Sequence, residues 1–217
     1  MKTTFSIAVT AALVAVLLSP SAPAMAANGP GEQIVSQETS SDASCEAQLK
    51  ALKKSEFATE TSRTTYCTVK TVTRASAPQV ASAASIQSDP SLTSVQKVSL
   101  LAAAVSGIVY YKTWSQEKAG ITYYEIHKGK FYYDNTNAWS TRTLRGWTGW
   151  HDCQAAGSWG VTVNVEVVSC KSTVDGSSTI DRETYKVSAL VSGSPVNYTL
   201  AMSMLLKKDG STVSRAY

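Results

Sequence analysis

Glu125 and His127 stand two residues apart in the stretch ITYYEIHKGK, and the chain's other histidine, His151, is followed at once by Asp152. Alternate side chains of an extended strand share a face, so Glu125 and His127 point the same way. A bend that laid His151 over them would assemble two imidazoles and a carboxylate. That set holds a catalytic zinc or, if burial raises the Glu125 pKa, runs acid–base hydrolysis. His151 and Asp152 are sequence neighbours, so an extended chain points them apart and they do not form a dyad. Glu125, His127, His151 and Asp152 are therefore weak catalytic candidates: residues flanking a hairpin turn more often form a solvated rim, and no catalytic set, metal site or cofactor is assigned from them. The chain has no G-x-S-x-G elbow, no serine beside a histidine and no Gly-rich phosphate loop.

The second candidate is aromatic. RGWTGWHDC, residues 145–153, packs two tryptophans, two glycines and a cysteine into nine residues, between a Tyr-rich segment and a Val-rich one. Trp147, Trp150, Tyr124, Tyr132 and Trp139 are the candidate ligand-binding rings, a row that could stack on sugar faces. Large rings beside a disulfide more commonly fill core, and the paired tyrosines, Tyr123-Tyr124 and Tyr132-Tyr133, send one ring to each face of a strand. One face is then core and the other surface.

The setting for either chemistry is outside the cell. Lys2, an apolar run from Phe5 to Leu18 and the small residues of Ala24-Met25-Ala26 form a secretory signal, residues 1–26, too short to span a bilayer. Without Lys2 the chain carries 19 Lys and Arg against 16 Asp and Glu, a net charge of +3. The charges are scattered, so no nucleic-acid footprint is expected, nor stable membrane insertion after signal cleavage. Four cysteines bound for an oxidising space imply disulfides. Spacing favours the two local pairs, Cys45–Cys67 and Cys153–Cys170, each closing a loop worth about 3 kcal/mol in the chain-entropy model. Zinc is the rival use of these thiols, disfavoured because no C-x-x-C spacing occurs.

The elements that must position these residues read as follows. Residues 27–41 are polar and expected to be a flexible lead-in. A helix from Asp42, with Cys45, Leu49 and Leu52 on one face, and a β-branched strand over Thr64 to Thr73 make a small region, 42–74, that is a candidate propeptide. A linker, 75–88, follows, and then a domain over 89–217. That domain opens with a helix capped at Asp89-Pro90-Ser91 and continues in antiparallel strands: a hairpin turning at Lys128-Gly129, a turn at Asp134-Asn135-Thr136-Asn137, a strand on Val161, Val163, Val165 and Val167, strands over Glu183 to Val191 and Tyr198 to Leu206, and a turn at Asp209-Gly210. The fold expected is α+β and mainly β, an antiparallel sandwich or partial barrel preceded by one or two short helices and stapled by two disulfides. In layout the chain resembles small secreted bacterial proteins with a β domain and two disulfides, a likeness that carries no functional residue across. The leading functional expectation is a secreted, extracellular binding module without catalysis, its partner a cell-wall glycan or an extracellular protein. A hydrolase built on the Glu/His/Asp group, and an inhibitor or toxin using residues Lys171 to Ser178, are the alternatives.

Overall fold

The computed structural model describes residues 31–88, 90, 93–103, 108–154, 158–160, 163–191 and 193–216. The expected signal segment, the capping residues Asp89 and Ser91, and Val161 lie outside that set. The protein is mainly β, with antiparallel sheets and the two local disulfides, Cys45–Cys67 and Cys153–Cys170.

Strand β1 (Glu32–Ser41) leads into helices α1 (Ala43–Ala51) and α2 (Glu60–Cys67), then β2 (Thr68–Ser76) and the short β3 (Gln79–Val80). Helices α3 (Ala83–Ser88) and α4 (Ser94–Ala103) precede β4 (Tyr110–Ala119) and β5 (Tyr123–Tyr133). Five short strands follow, β6 (Ala138–Trp139), β7 (Thr143–Leu144), β8 (Trp147–Thr148), β9 (Trp150–Asp152) and β10 (Trp159–Gly160). The chain ends in β11 (Val163–Asp175), β12 (Ser178–Val191), β13 (Ser194–Leu206) and β14 (Thr212–Ala216). One sheet runs β1-β2-β4-β5, with β6, β9 and β10 sharing the far edge of β5; the other runs β11-β12-β13-β14. They pack face to face: Trp114, Phe131 and Tyr133 of the first meet Met204 and Leu206 of the second, and Tyr123 meets Tyr185, Leu200 and Met202.

Three sequence expectations change. First, Glu32–Ser41 is a paired strand along β2 and not a free lead-in. Its side chains are mostly exposed, which is why the composition reads as flexible. Second, Thr64 to Cys67 is helical. Thr59 caps α2 by accepting from the Ser62 N–H at 3.1 Å, and Thr65 and Thr68 bond back to carbonyls four residues earlier, which lets β-branched residues sit in a helix. The strand starts only at Thr68. β2 lies between β1 and β4, so Thr68–Ser76 is woven into the main sheet.

Third, Lys128-Gly129 is no hairpin turn. Strand β5 runs straight through it, and the β4–β5 reversal falls at Gly120, whose N–H donates to the Tyr123 carbonyl. Gly129 is there for room. A Cβ on it would lie 2.6 Å from the Trp150 carbonyl oxygen and 2.8 Å from the Trp114 ring. A Gly129→Ala substitution should therefore cost about 1–3 kcal/mol, the usual penalty for overpacking, by pushing β9 off β5. Urea titration of the purified variant checks it; unchanged stability would show that β9 has room to shift. The expected turn at Asp134 is present, with Asp134 Oδ1 accepting from the N–H groups of Thr136 and Asn137.

Candidate functional site

Register decides which side chains enter the interior. The inward row of β5 is Tyr123, Glu125, His127, Gly129, Phe131 and Tyr133, since these odd-numbered residues include those that pack on the second sheet. On β12 the facing row is Thr179, Asp181, Glu183 and Tyr185. A bulge between Val167 and Ser169 shifts β11 by one residue, so that Cys170 and Ser172 fall opposite Glu183 and Asp181 and share their face. On β9, His151 pairs with Gly129 and is turned inward, while Trp150 and Asp152 pair with Lys130 and Lys128 and face outward.

The result is a polar layer between the two sheets. His127 Nε2 and His151 Nδ1 are 3.0 Å apart. Both sulfurs of the Cys153–Cys170 disulfide lie against the same His151 nitrogen, at 3.8 and 3.7 Å. Ser140 donates to Asp181 Oδ1 at 2.7 Å and contacts the Ser172 hydroxyl at 3.0 Å. Glu183 accepts from the backbone N–H of Gln154 at 3.1 Å. Neither oxygen of Glu125 meets a donor group, so the hydrogen bond open to it is with Glu183, and that bond needs a proton on one of the two carboxyls. Burial supplies it: Glu125, Glu183 and Asp181 expose no surface, and taking an unpaired carboxylate out of water raises its pKa. Burial acts oppositely on His127, which is pushed down to about 3, with the neighbouring His151 charge adding to the effect. The layer thus carries less charge than the same residues would in water: a neutral imidazole and a carboxyl pair that retains a proton.

The sequence puts Glu125 and His127 on one face, with His151 joining them if a bend lays it over the strand, and the structure brings all three into one layer; Asp152 points to solvent, as adjacency to His151 requires. Asp181, Glu183, Ser140 and Ser172 were missed. The signal for the first two was available, because they alternate in phase with Tyr185 and Val187, which any strand over this segment must bury. Compared with known proteins, the chain matches no family model, no curated sequence and no solved structure. Geometry alone must therefore carry the functional reading.

Four of the five candidate rings are core. Tyr132, Trp139 and Trp147 pack on one another and on Val109, with the Trp139 indole donating to the Trp147 carbonyl at 2.8 Å, and Tyr124 packs on Ile126. The answer to the RGWTGWHDC stretch is therefore divided. Arg145 and Gly146 both take positive φ, 51° and 80°, and make the two-residue turn between β7 and β8. Trp147 anchors that hairpin in the core, His151 enters the polar layer, and Trp150 stays 44% exposed. The segment Lys171 to Ser178 is likewise not a loop: all but Gly176 and Ser177 belong to β11 and β12. Among the described residues no helix is long and apolar enough to cross a membrane.

Proposed function

We propose that this chain is exported and acts outside the cell as a non-catalytic binding module, with a cell-wall glycan as its ligand. The observation that carries the reading is the burial of the chemistry. Glu125, His127, Asp181 and Glu183 could do acid–base work, but none exposes any surface to a substrate, and they are spent on one another in the interior. What the surface offers instead is the outward side of the same strands. Trp150 lies beside Lys130, whose ammonium sits 4.2 Å above the Tyr111 ring, with Lys128 paired to Asp152 next along the ladder. An exposed indole flanked by charged hydrogen-bonding groups suits a sugar ring, which has an apolar face and a rim of hydroxyls. The two disulfides accord with an oxidising compartment.

The test is retention of residues 27–217 on insoluble peptidoglycan, chitin and cellulose. Trp150→Ala removes the exposed ring without opening the core, and losing one aromatic contact of about 1–1.5 kcal/mol should cut retention roughly 10-fold. Near-UV circular dichroism confirms the fold of the variant. Failure of the wild type to bind any of the three polymers, or full retention by Trp150→Ala, would overturn the glycan reading.

A further inference from the structure

We infer that His127, His151, Cys153 and Cys170 form a metal site for a tetrahedral borderline cation such as Zn²⁺, which the Cys153–Cys170 disulfide closes and its reduction opens. This is independent of the glycan reading, which concerns the opposite face of β9.

The warrant is geometric. The ligand atoms of His127, His151 and Cys153 all lie within 4.8 Å of one another, and Cys170 Sγ adds a fourth at 3.7 Å from His151 Nδ1. Zinc bonds of about 2.0–2.1 Å to nitrogen and 2.3 Å to sulfur set the edges of a tetrahedron at roughly 3.3 Å for N–N, 3.5 Å for N–S and 3.8 Å for S–S. The observed N–N edge is 3.0 Å and the two N–S edges are 3.8 and 3.7 Å, each within about 0.3 Å of that figure. What remains is to separate two sulfurs that are now bonded and to draw them toward His127 Nε2, from which Cys153 Sγ lies within 4.8 Å. An ordinary hydrogen bond between two histidines accounts for the first distance, and the disulfide carries both sulfurs together to the His151 nitrogen, so that four donor atoms share one corner of the interior. Two thiolates and two imidazoles are the donor set that zinc takes in closed structural sites.

The disulfide is placed to be opened. Cys170, on the edge strand β11, is exposed and Cys153, directly after β9, is half-buried, whereas Cys45 and Cys67 are buried. A dithiol donor gives two electrons and two protons to Cys153–Cys170, its own sulfurs closing into a disulfide. Zinc then binds the two cysteines as thiolates and releases those two protons. Oxidation removes both thiolates from the set, and two imidazoles alone hold the cation weakly. The same four side chains thus exist in two exclusive states, a staple or a metal site.

The experiment uses the mature chain, oxidised or reduced under native conditions with a phosphine, which takes the oxygen of one water as it is oxidised. Zinc per chain is measured after gel filtration, and Co²⁺ is used as a spectroscopic probe, its intense d–d bands and sulfur charge-transfer band reporting a tetrahedral site with thiolates. Expected are one Zn²⁺ per reduced chain, none on the oxidised chain, loss of binding in Cys153→Ser/Cys170→Ser with Cys45–Cys67 intact, and at least about 10-fold weaker binding in His151→Ala and in His127→Asn, the latter keeping a polar group in the interior. Equal binding by the oxidised chain, reduced-state binding indifferent to both histidine variants, or no binding at all would each overturn the proposal. Should reduction unfold the chain, zinc must restore its near-UV dichroism, and a chain left unfolded with zinc present counts against the site.

Discussion

Lowering the pH from 8 to 5 should stabilise the oxidised, chelator-treated protein, by about 3–4 kcal/mol, a direction opposite to the behaviour of a protein held by surface carboxylates. The sign follows from the polar layer. Glu125 and Glu183 have folded-state pKa values raised above their unfolded ones, chiefly by burial; on Glu183 the hydrogen bond and charge of Glu125 and the charge of Asp152 add to it while the Gln154 N–H partly opposes, and on Glu125 the hydrogen bond to Glu183 partly opposes. Groups raised in this way contribute stability that is complete below the unfolded pKa near 4.5 and is lost as the pH rises through the folded value. Asp181 adds in the same sense. His127 is depressed to about 3, so it contributes above its unfolded value of 6.5 and loses that contribution as the pH falls through the folded one. The two effects compete below pH 6.5. The carboxyls prevail down to about pH 5, because there the pair still holds nearly two protons against roughly one on the unfolded histidine. One net proton over three pH units is worth about 4 kcal/mol. Glu183→Gln isolates the cause. Its amide donates permanently to Glu125 while its carbonyl still accepts from Gln154, so the variant should be more stable than the wild type at pH 8 and show a markedly flatter profile. Urea midpoints from pH 5 to 8 measure both. A wild-type profile that rises toward pH 8 would mean that water reaches the carboxyls.

The polar layer also marks where sequence stops being informative. The disulfide pairs, the Val-rich alternation of β11 and the Asp134 turn each rest on local chemistry, spacing, period or a side chain bonding its own backbone, and each is legible residue by residue. Glu125 and His127 share a face for the same local reason. That they face Glu183 and Asp181 depends on how two sheets stack and on a bulge at Val168, a displacement of one residue that no periodicity announces. Gly129 shows the other limit. Glycine marks both a turn and a close approach, and only the Trp114 ring and the Trp150 carbonyl, from segments 15 residues before it and 21 after, tell them apart. The exposed strand β1 and the Thr-rich α2 fail for a third reason. Pairing to β2 and a cap at Thr59 outweigh composition in both.

The two disulfides should differ in worth although their loops are alike. With separations of 22 and 17 residues, the chain-entropy model assigns each about 3 kcal/mol. Their surroundings separate them. Cys45 and Cys67 join α1 to the end of α2 inside a cluster with Leu49, Phe57, Val191 and Val196, so they also fix the helices on β13, and truncating them opens that core. Cys153 and Cys170 sit at the sandwich edge among polar groups, with Cys170 exposed, so little packing is lost with them. Replacing Cys45 and Cys67 by alanine should therefore cost about 5 kcal/mol, the loop term plus a cavity term of about 2 kcal/mol, and leave a chain close to unfolding. Replacing Cys153 and Cys170 by serine should cost about 3 kcal/mol and leave it folded. Urea denaturation of both double variants at one pH decides the order. The reverse order would place the mechanical load of the fold on the edge where β9 meets β11, and a staple that carries the fold is a poor one to exchange for a metal.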